Sequence, residues 1–189
     1  CAGRRLCTAS IIKQVEKITG RRMVKENEEC KYNYKNGYCK LKLVEEEPFG
    51  ALTAIARATK EGYTISGDNY AFRNNGEGKY FVVLSDGMGA GQKAHLQSKA
   101  TVNLLEQFIE SGFDKDTSIN LINSFLLLKS GEESFATIDL SIIDLYTGDA
   151  EFIKIGAVPS FIKKGLKVDI VSSTSLPAGI LGNIEYELV

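Results

Sequence analysis

The sequence is short of histidine, with His95 as the single example among 189 residues. A Ser-His-Asp or Cys-His catalytic arrangement would have to use that one residue, and a metal site with two histidine ligands cannot form. Any hydrolytic chemistry in this chain must therefore rest on carboxylates.

The sequence also lacks an excess of charge and a long apolar run. Its 23 Lys and Arg and 24 Asp and Glu give a net charge of −1, so charge does not favour binding to nucleic acid or to an anionic membrane. Apolar runs such as residues 125–128 are far shorter than the roughly 18 residues that cross a bilayer, and residues 1–20 contain no signal-peptide core. These absences indicate a cytoplasmic protein, or the water-soluble part of a larger one, without a nucleic-acid partner.

Residues 1–47 differ in composition from the rest of the chain. They hold 11 Lys and Arg against 7 Asp and Glu, a charge of +4, whereas residues 48–189 hold 12 against 17, a charge of −5. The acidic run and the proline at residues 45–48 resist regular structure. The composition predicts a cysteine-containing N-terminal segment over residues 1–47 and a main domain over residues 48–189.

All four cysteines lie in this N-terminal segment. They are Cys1, Cys7, Cys30 and Cys39, and no two have the two- to four-residue spacing of a zinc knuckle. Free thiols in a reducing compartment are the favoured state, and four-cysteine metal binding is the alternative.

The main domain combines short strands with two helices. Residue type and alternation predict strands over residues 51–58, 62–66, 79–84, 136–142 and 150–155, and another from Ser160. Apolar residues at helical spacing predict helices over residues 93–109 and 117–129, the second capped by Thr117 or Asp116. A shorter helix is predicted between Ser10 and Gly20. The neighbouring hairpins indicate an α+β fold with mainly antiparallel strands.

A glycine-rich loop follows the strand at residues 79–84. Asp86 ends the strand, and glycines at positions 87, 89 and 91 let the backbone turn before a helix. A dinucleotide-binding loop would need glycine at position 92, where this chain has Gln, and the hairpins argue against its parallel βαβ unit. Asp86 would also repel a phosphate unless a cation lay between them, which favours a divalent-cation site.

A second acidic loop contains Asp68, 18 residues before Asp86. Loops leaving two adjacent strands would place both carboxylates on one rim, where they would hold Mn²⁺ or Mg²⁺ with waters completing the shell. Sites with two metal ions acidify a shared water and clamp a phosphoryl group without a side-chain nucleophile. The spacing alone leaves a plainer alternative, because Asp-Gly and Gly-Asp pairs are common in turns.

Four segments of the chain together resemble the bacterial PPM (type 2C) serine/threonine phosphatases, and among them the members that control sporulation. They are residues 66–70 (SGDNY), 85–89 (SDGMG), 135–140 (FATIDL) and 154–162 (KIGAVPSFI). The resemblance implies a PPM-type α-β-β-α sandwich with mainly antiparallel sheets. It also implies Mn²⁺- or Mg²⁺-dependent hydrolysis of a phosphoserine protein, a phosphorylated anti-anti-sigma factor.

The resemblance implies roles for individual residues. Asp68 matches a metal-ligating aspartate, and Asp86 matches the metal-bridging aspartate that positions the metal-activated water. Gly87 matches the residue whose backbone carbonyl binds metal in a complete site of two cations. The helices at residues 93–109 and 117–129 match a pair that moves in this family to complete the metal site.

Two further aspartates of the family pattern are expected beyond Val189. We therefore expect a sandwich that is incomplete at the C-terminus, poor binding of a second metal and little hydrolysis by this chain. The implied partners also include the cell-division machinery, reached through regions outside this chain, and a second copy paired at an open sheet edge. A membrane anchor is likewise expected only in segments outside this chain.

Two other functions remain as alternatives. One is a noncatalytic phosphoprotein-binding or scaffold module with the same fold, and the other is nucleotide binding at the glycine loop. His95 is expected to face solvent or to cap its helix, and Asp139 and Asp144 are expected to face outward from an alternating strand.

Overall fold

The computed structural model describes residues 4–26, 31–33, 38–59, 61–62, 64–128, 134–184 and 186–188. Their helices and strands are α1 (Arg4–Thr19), β1 (Met23–Lys25), β2 (Lys31–Asn33), β3 (Tyr38–Lys40), β4 (Leu43–Glu45), β5 (Asp68–Asn74), β6 (Lys79–Asp86), α2 (Gly91–Glu110), α3 (Lys115–Leu128), β7 (Ile138–Asp144), β8 (Ala150–Ile155), β9 (Ser160–Lys164), β10 (Lys167–Val171) and β11 (Glu187–Leu188). The chain divides into two compact units, Cys1–Gly50 and Ala51–Val189.

The first unit contains α1 and two short antiparallel ladders. The helix ends at Thr19, and Gly20 follows with φ of +70°, a conformation that glycine adopts without strain. β1 pairs with β4, and β2 pairs with β3. The helix predicted after Ser10 is thus the C-terminal part of a longer one, whereas the predictions for the four cysteine side chains lie outside the described residues.

The second unit is built on a five-stranded antiparallel sheet. Its strand order is β11-β8-β7-β6-β5, with every neighbouring pair antiparallel. Alternate residues on β6, β7 and β8 are almost completely buried and pack with α2 and α3; they are Phe81, Val83, Ile138, Leu140, Ile153 and Ile155. The predicted α+β fold with mainly antiparallel strands is confirmed.

Residues immediately before each of the two helices that cover this sheet explain where the helix begins. α2 begins at Gly91, directly after the glycine-rich loop, and buries residues spaced three or four apart, namely Ala94, Ser98, Thr101 and Leu105. α3 begins after Asp114, whose Oδ1 accepts a hydrogen bond from Thr117 N at 2.9 Å. Asp114 is therefore the N-cap, and the predicted capping by Thr117 or Asp116 is wrong.

The strands predicted over residues 51–58 and 62–66 are not found among the described residues of those segments. Residues 51–59 have no regular secondary structure, and the described residues of 61–67 form turns, bends and irregular backbone. Residues 51–58 include four alanines, which have little β propensity. Residues 62–66 (GYTIS) include β-forming side chains, but their described residues pair with no strand, and the first strand of the large sheet begins later, at Asp68. No helix in the described part of the chain is long and apolar enough to cross a membrane.

Candidate metal centre

Asp68 and Asp86 face each other across the β5–β6 ladder. Asp68 is the first residue of β5 and Asp86 is the last residue of β6, and the two are direct partners in the antiparallel register. Directly opposed residues of an antiparallel pair project to the same side of the sheet, with Cβ atoms about 5 Å apart. The two carboxylates therefore lie on one rim, although Asp68 begins its strand rather than following one.

The backbone and side chain of Asp68 are held by its own loop and by one arginine. Ser66 Oγ donates a hydrogen bond to Asp68 Oδ2 at 3.1 Å and accepts one from Asp68 N at 3.2 Å. The Arg57 guanidinium donates to Asp68 O at 2.7 Å and to Ser66 O at 3.2 Å. These bonds restrict the directions in which the Asp68 carboxylate can point.

Three hydrogen bonds from backbone N–H groups hold the segment from Asp86 to Met88 in place. Asp86 N donates to Thr137 Oγ1 at 2.8 Å, Gly87 N to Gly67 O at 3.4 Å and Met88 N to Phe135 O at 3.1 Å. Gly87 also lies against the first turn of α2, where a Cβ atom added to Gly87 would sit 1.9 Å from Ala94 O. Glycine is thus required here because the helix backbone approaches too closely for a side chain.

The oxygen atoms of this segment converge near Gly67. A Cβ atom added to Gly67 would lie 3.2 Å from Asp86 Oδ1 and 3.3 Å from Gly87 O. A carboxylate oxygen and a main-chain carbonyl oxygen therefore both face the residue that precedes Asp68. Carboxylate and carbonyl oxygens are the donors that Mg²⁺ and Mn²⁺ prefer.

The electrostatics of the pair also fit a cation. Burial of part of the Asp86 carboxylate raises its pKa, and the charge of Asp68 and a side-chain hydrogen bond with Asp68 raise it further. A divalent cation between the two groups would remove this mutual repulsion. Among the described residues no cluster of three or more His, Cys, Asp or Glu side chains could hold a metal ion, and the oxygen donors that this segment offers are two carboxylates and one carbonyl.

The two carboxylates open into a cleft of about 690 Å³. Its walls include Asp139 and Thr137 beside the carboxylates, and the apolar side chains of Tyr70, Phe72 and Leu84. A second cavity of about 830 Å³ is lined, among described residues, by uncharged side chains between Ser173 and Tyr186. The cleft with the carboxylates is therefore the candidate site.

Comparison with known proteins identifies the family of this chain. The sequence model of stage II sporulation protein E (SpoIIE) matches residues 76–189, more than half of the chain. The chain belongs to the stage II sporulation protein E family. The stage II sporulation protein E of Priestia megaterium is 39% identical over 189 residues, which are 100% of this chain and 32% of that protein.

Solved structures connect the SpoIIE family to the phosphatase fold. The PP2C phosphatase domain of SpoIIE from Bacillus subtilis, with a fragment of its regulatory domain, is 38% identical with a TM-score of 0.77. That match covers 95% of this chain and 53% of the solved chain. A structure of RsbX in complex with magnesium shares the fold alone, at 19% identity and a TM-score of 0.57, over 70% of this chain and 64% of its own.

The comparisons confirm the resemblance to type 2C phosphatases and support a protein phosphatase family. This chain spans about a third of the P. megaterium SpoIIE protein and about half of the solved B. subtilis chain. The metal-binding roles of Asp68, Asp86 and Gly87 stay predictions, for which the structure provides the juxtaposition described above.

Asp139 does not face solvent as an alternating strand would suggest. Its Oδ2 accepts hydrogen bonds from Lys154 Nζ at 2.5 Å and from Ser160 Oγ at 3.1 Å, and Lys154 also donates to Val158 O at 2.8 Å. The Lys154 side chain is 1% exposed, so this ion pair is buried beside the cleft. The signal that could have revealed it is the opposite charge of two residues that a hairpin register places face to face.

His95 also differs from its expected environment. Its Nδ1 lies 3.2 Å from Ser66 O and 3.2 Å from Asn69 Nδ2, so the ring contacts the Asp68 loop instead of facing solvent. Asn69 Nδ2 further donates to Ser98 Oγ at 2.7 Å, and Ser98 Oγ donates to Gly67 O. This network joins the first turns of α2 to the Asp68 loop, and sequence patterns gave no signal for the parts that Asn69 and Ser98 play in it.

Proposed function

We propose that this chain forms the metal-binding part of a protein phosphatase domain that hydrolyses phosphoserine or phosphothreonine in a protein substrate. The observation that carries the proposal is the register pair of Asp68 and Asp86, with Gly87 O beside it, at the rim of the cleft. The fold shared with the PP2C domain of the B. subtilis relative supports the same reaction class.

Asp68 and Asp86 would hold a Mn²⁺ or Mg²⁺ ion through carboxylate oxygens, and Gly87 would hold it through its carbonyl. When bound, such an ion lowers the pKa of water and offsets the negative charge of a phosphoryl group. The magnesium in the related RsbX structure supports this choice of ion. Ser66 restrains the Asp68 carboxylate, and the apolar side chains of Tyr70, Phe72 and Leu84 line the cleft in which a phosphorylated side chain would bind.

This donor set suits one tightly held cation better than two. Two divalent ions carry four positive charges, and Asp68 and Asp86 supply two negative ones. Hydrolysis that depends on two metal ions needs both to be held, so we expect slow turnover by the 189-residue chain. The proposed physiological substrate is a phosphorylated anti-anti-sigma factor, in keeping with the sporulation family to which the chain belongs.

A phosphate-release assay tests this proposal. The 189-residue chain, in excess over a phosphorylated anti-anti-sigma factor and with Mn²⁺ present, is compared with Asp86→Asn and with the control Asp169→Asn, a surface carboxylate on β10. We expect slow release by the parent and the control, and release at least about 100-fold slower for Asp86→Asn, because a group acting at the reacting centre is lost.

Two outcomes would count against the proposal. Equal rates for the parent and Asp86→Asn would contradict it directly. Binding of the phosphoprotein without any release of phosphate would instead favour the alternative of a noncatalytic phosphoprotein-binding module with this fold.

A further inference from the structure

We propose that Thr137 is a positioning residue of the metal centre, because its hydroxyl fixes the direction of the Asp86–Gly87 backbone. This inference rests on the proposed function of Asp86 and Gly87 as metal ligands. Thr137 also lines the cleft, although it is not proposed to touch the metal ion or the substrate.

The first observation is an altered hydrogen-bond pair at the end of the β6–β7 ladder. The register Leu84↔Asp139 continues through the isolated bridge Gly87↔Ala136, so Asp86 stands opposite Thr137. In a regular hydrogen-bonded pair the two residues exchange both N–H···O=C bonds. Here Thr137 N donates to Asp86 O at 2.9 Å, whereas Asp86 N donates to Thr137 Oγ1 at 2.8 Å. The side-chain hydroxyl thus takes the place of a main-chain carbonyl.

The second observation is where this altered pair lies in the chain. β6 ends at Asp86 and β7 begins at Ile138, so the regular ladder stops at this pair. Beyond it Gly87 contacts both Gly67 and the first turn of α2. The hydroxyl bond to Asp86 N therefore holds the chain at the point where the two proposed ligands, Asp86 and Gly87, begin. Together with the bond from Thr137 N to Asp86 O, it holds the backbone from which the Asp86 carboxylate and the next carbonyl project.

A purely structural role for Thr137 makes a different prediction. Threonine suits a strand because its side chain is β-branched, and valine would serve that purpose equally well. The positioning role requires the oxygen atom, which serine keeps and valine lacks. Thr137→Val and Thr137→Ser therefore separate the two explanations, and Thr174→Val provides the same substitution away from the centre.

The experiment measures Mn²⁺ affinity of the 189-residue chain by titration calorimetry, together with hydrogen exchange of the Asp86 amide without metal. We expect Thr137→Val to weaken Mn²⁺ binding by about 10- to 100-fold, the usual effect of losing a group that orients a metal ligand. The Asp86 amide should exchange faster in this variant because its acceptor is gone. Thr137→Ser and Thr174→Val should keep the parent affinity.

The outcomes separate this inference from the proposed function. Parent-like Mn²⁺ affinity in Thr137→Val, with weakened binding in Asp86→Asn, would overturn the positioning role alone. Parent-like affinity in Asp86→Asn would overturn the metal site itself. If Thr137→Val does not fold, Thr137→Ala replaces it, since alanine also lacks the acceptor, and equal affinity of Thr137→Ala and Thr137→Ser would again overturn the inference.

Discussion

At the scale of single residues, the candidate centre depends on the absence of a side chain at Gly87. A Cβ atom on Gly87 would lie 1.9 Å from Ala94 O and 2.6 Å from Ala94 C, both main-chain atoms of α2. Because the helix backbone would have to shift, Gly87→Ala should lower the free energy of unfolding by about 1–3 kcal/mol, the usual cost of overpacking.

Gly182→Ala is the matched control for this change. No atom lies within 4 Å of a Cβ added at Gly182, so this substitution should leave stability nearly unchanged. Urea unfolding of the two variants beside the parent measures both effects. Equal stability of Gly87→Ala and Gly182→Ala would show that α2 does not pack closely against the glycine loop.

The buried pair of Lys154 and Asp139 shows how the positive charge of Lys154 is accommodated beside the cleft. The ammonium has two oxygen partners, Asp139 Oδ2 at 2.5 Å and Val158 O at 2.8 Å, although its side chain is 1% exposed. Desolvation of an isolated charge would be costly, and the carboxylate compensates for it. The pair thereby ties β7, β8 and the loop at Val158 into one wall.

At the scale of elements, Asp114 makes the stability of the start of α3 depend on pH. Hydrogen bonds from the backbone and side chain of Thr117 lower the pKa of Asp114 below its ordinary value of 3.8. Because folding lowers this pKa, the ionised carboxylate stabilises the folded state at pH values above its unfolded-state pKa. This contribution disappears as the pH falls through the folded-state pKa. Asp114→Ala should therefore melt at a lower temperature than the parent at neutral pH.

Thermal unfolding followed by circular dichroism measures this difference. The gap in melting temperature between the parent and Asp114→Ala should shrink in strong acid, where both proteins lack the ionised cap. A gap that stays constant from neutral pH into strong acid would contradict the capping role.

Helices and buried strands were largely predictable from the sequence because their signals are local. The helices at residues 93–109 and 117–129 and the strand at 79–84 each lie within an observed element, apart from Lys129, which is outside the described residues. β5 escaped prediction because its residues, Asp68–Asn74, are mostly partly buried or exposed and show no clean alternation. Its position was fixed by pairing with β6, which the local sequence does not encode.

At the scale of the whole molecule, the antiparallel sheet brings the proposed metal ligands together. The sequence predicted that Asp68 and Asp86 share one rim, since both occur where a loop meets a strand. It did not predict the contribution of Thr137, because the hydrogen bond to Asp86 N joins residues 51 positions apart. Such contacts depend on the β6–β7 register, which only the assembled sheet defines.

The measurement that most directly tests the central claim is a Mn²⁺ titration of the parent, Asp68→Asn, Asp86→Asn and the control Asp169→Asn. Each of the first two substitutions removes a proposed ligand, so we expect a loss of affinity beyond the roughly 100-fold that a merely orienting residue causes. Asp169→Asn should bind as the parent does, because Asp169 pairs with Lys167 on the surface hairpin. Parent-like Mn²⁺ affinity in both Asp68→Asn and Asp86→Asn would contradict the claim that this register pair holds the metal.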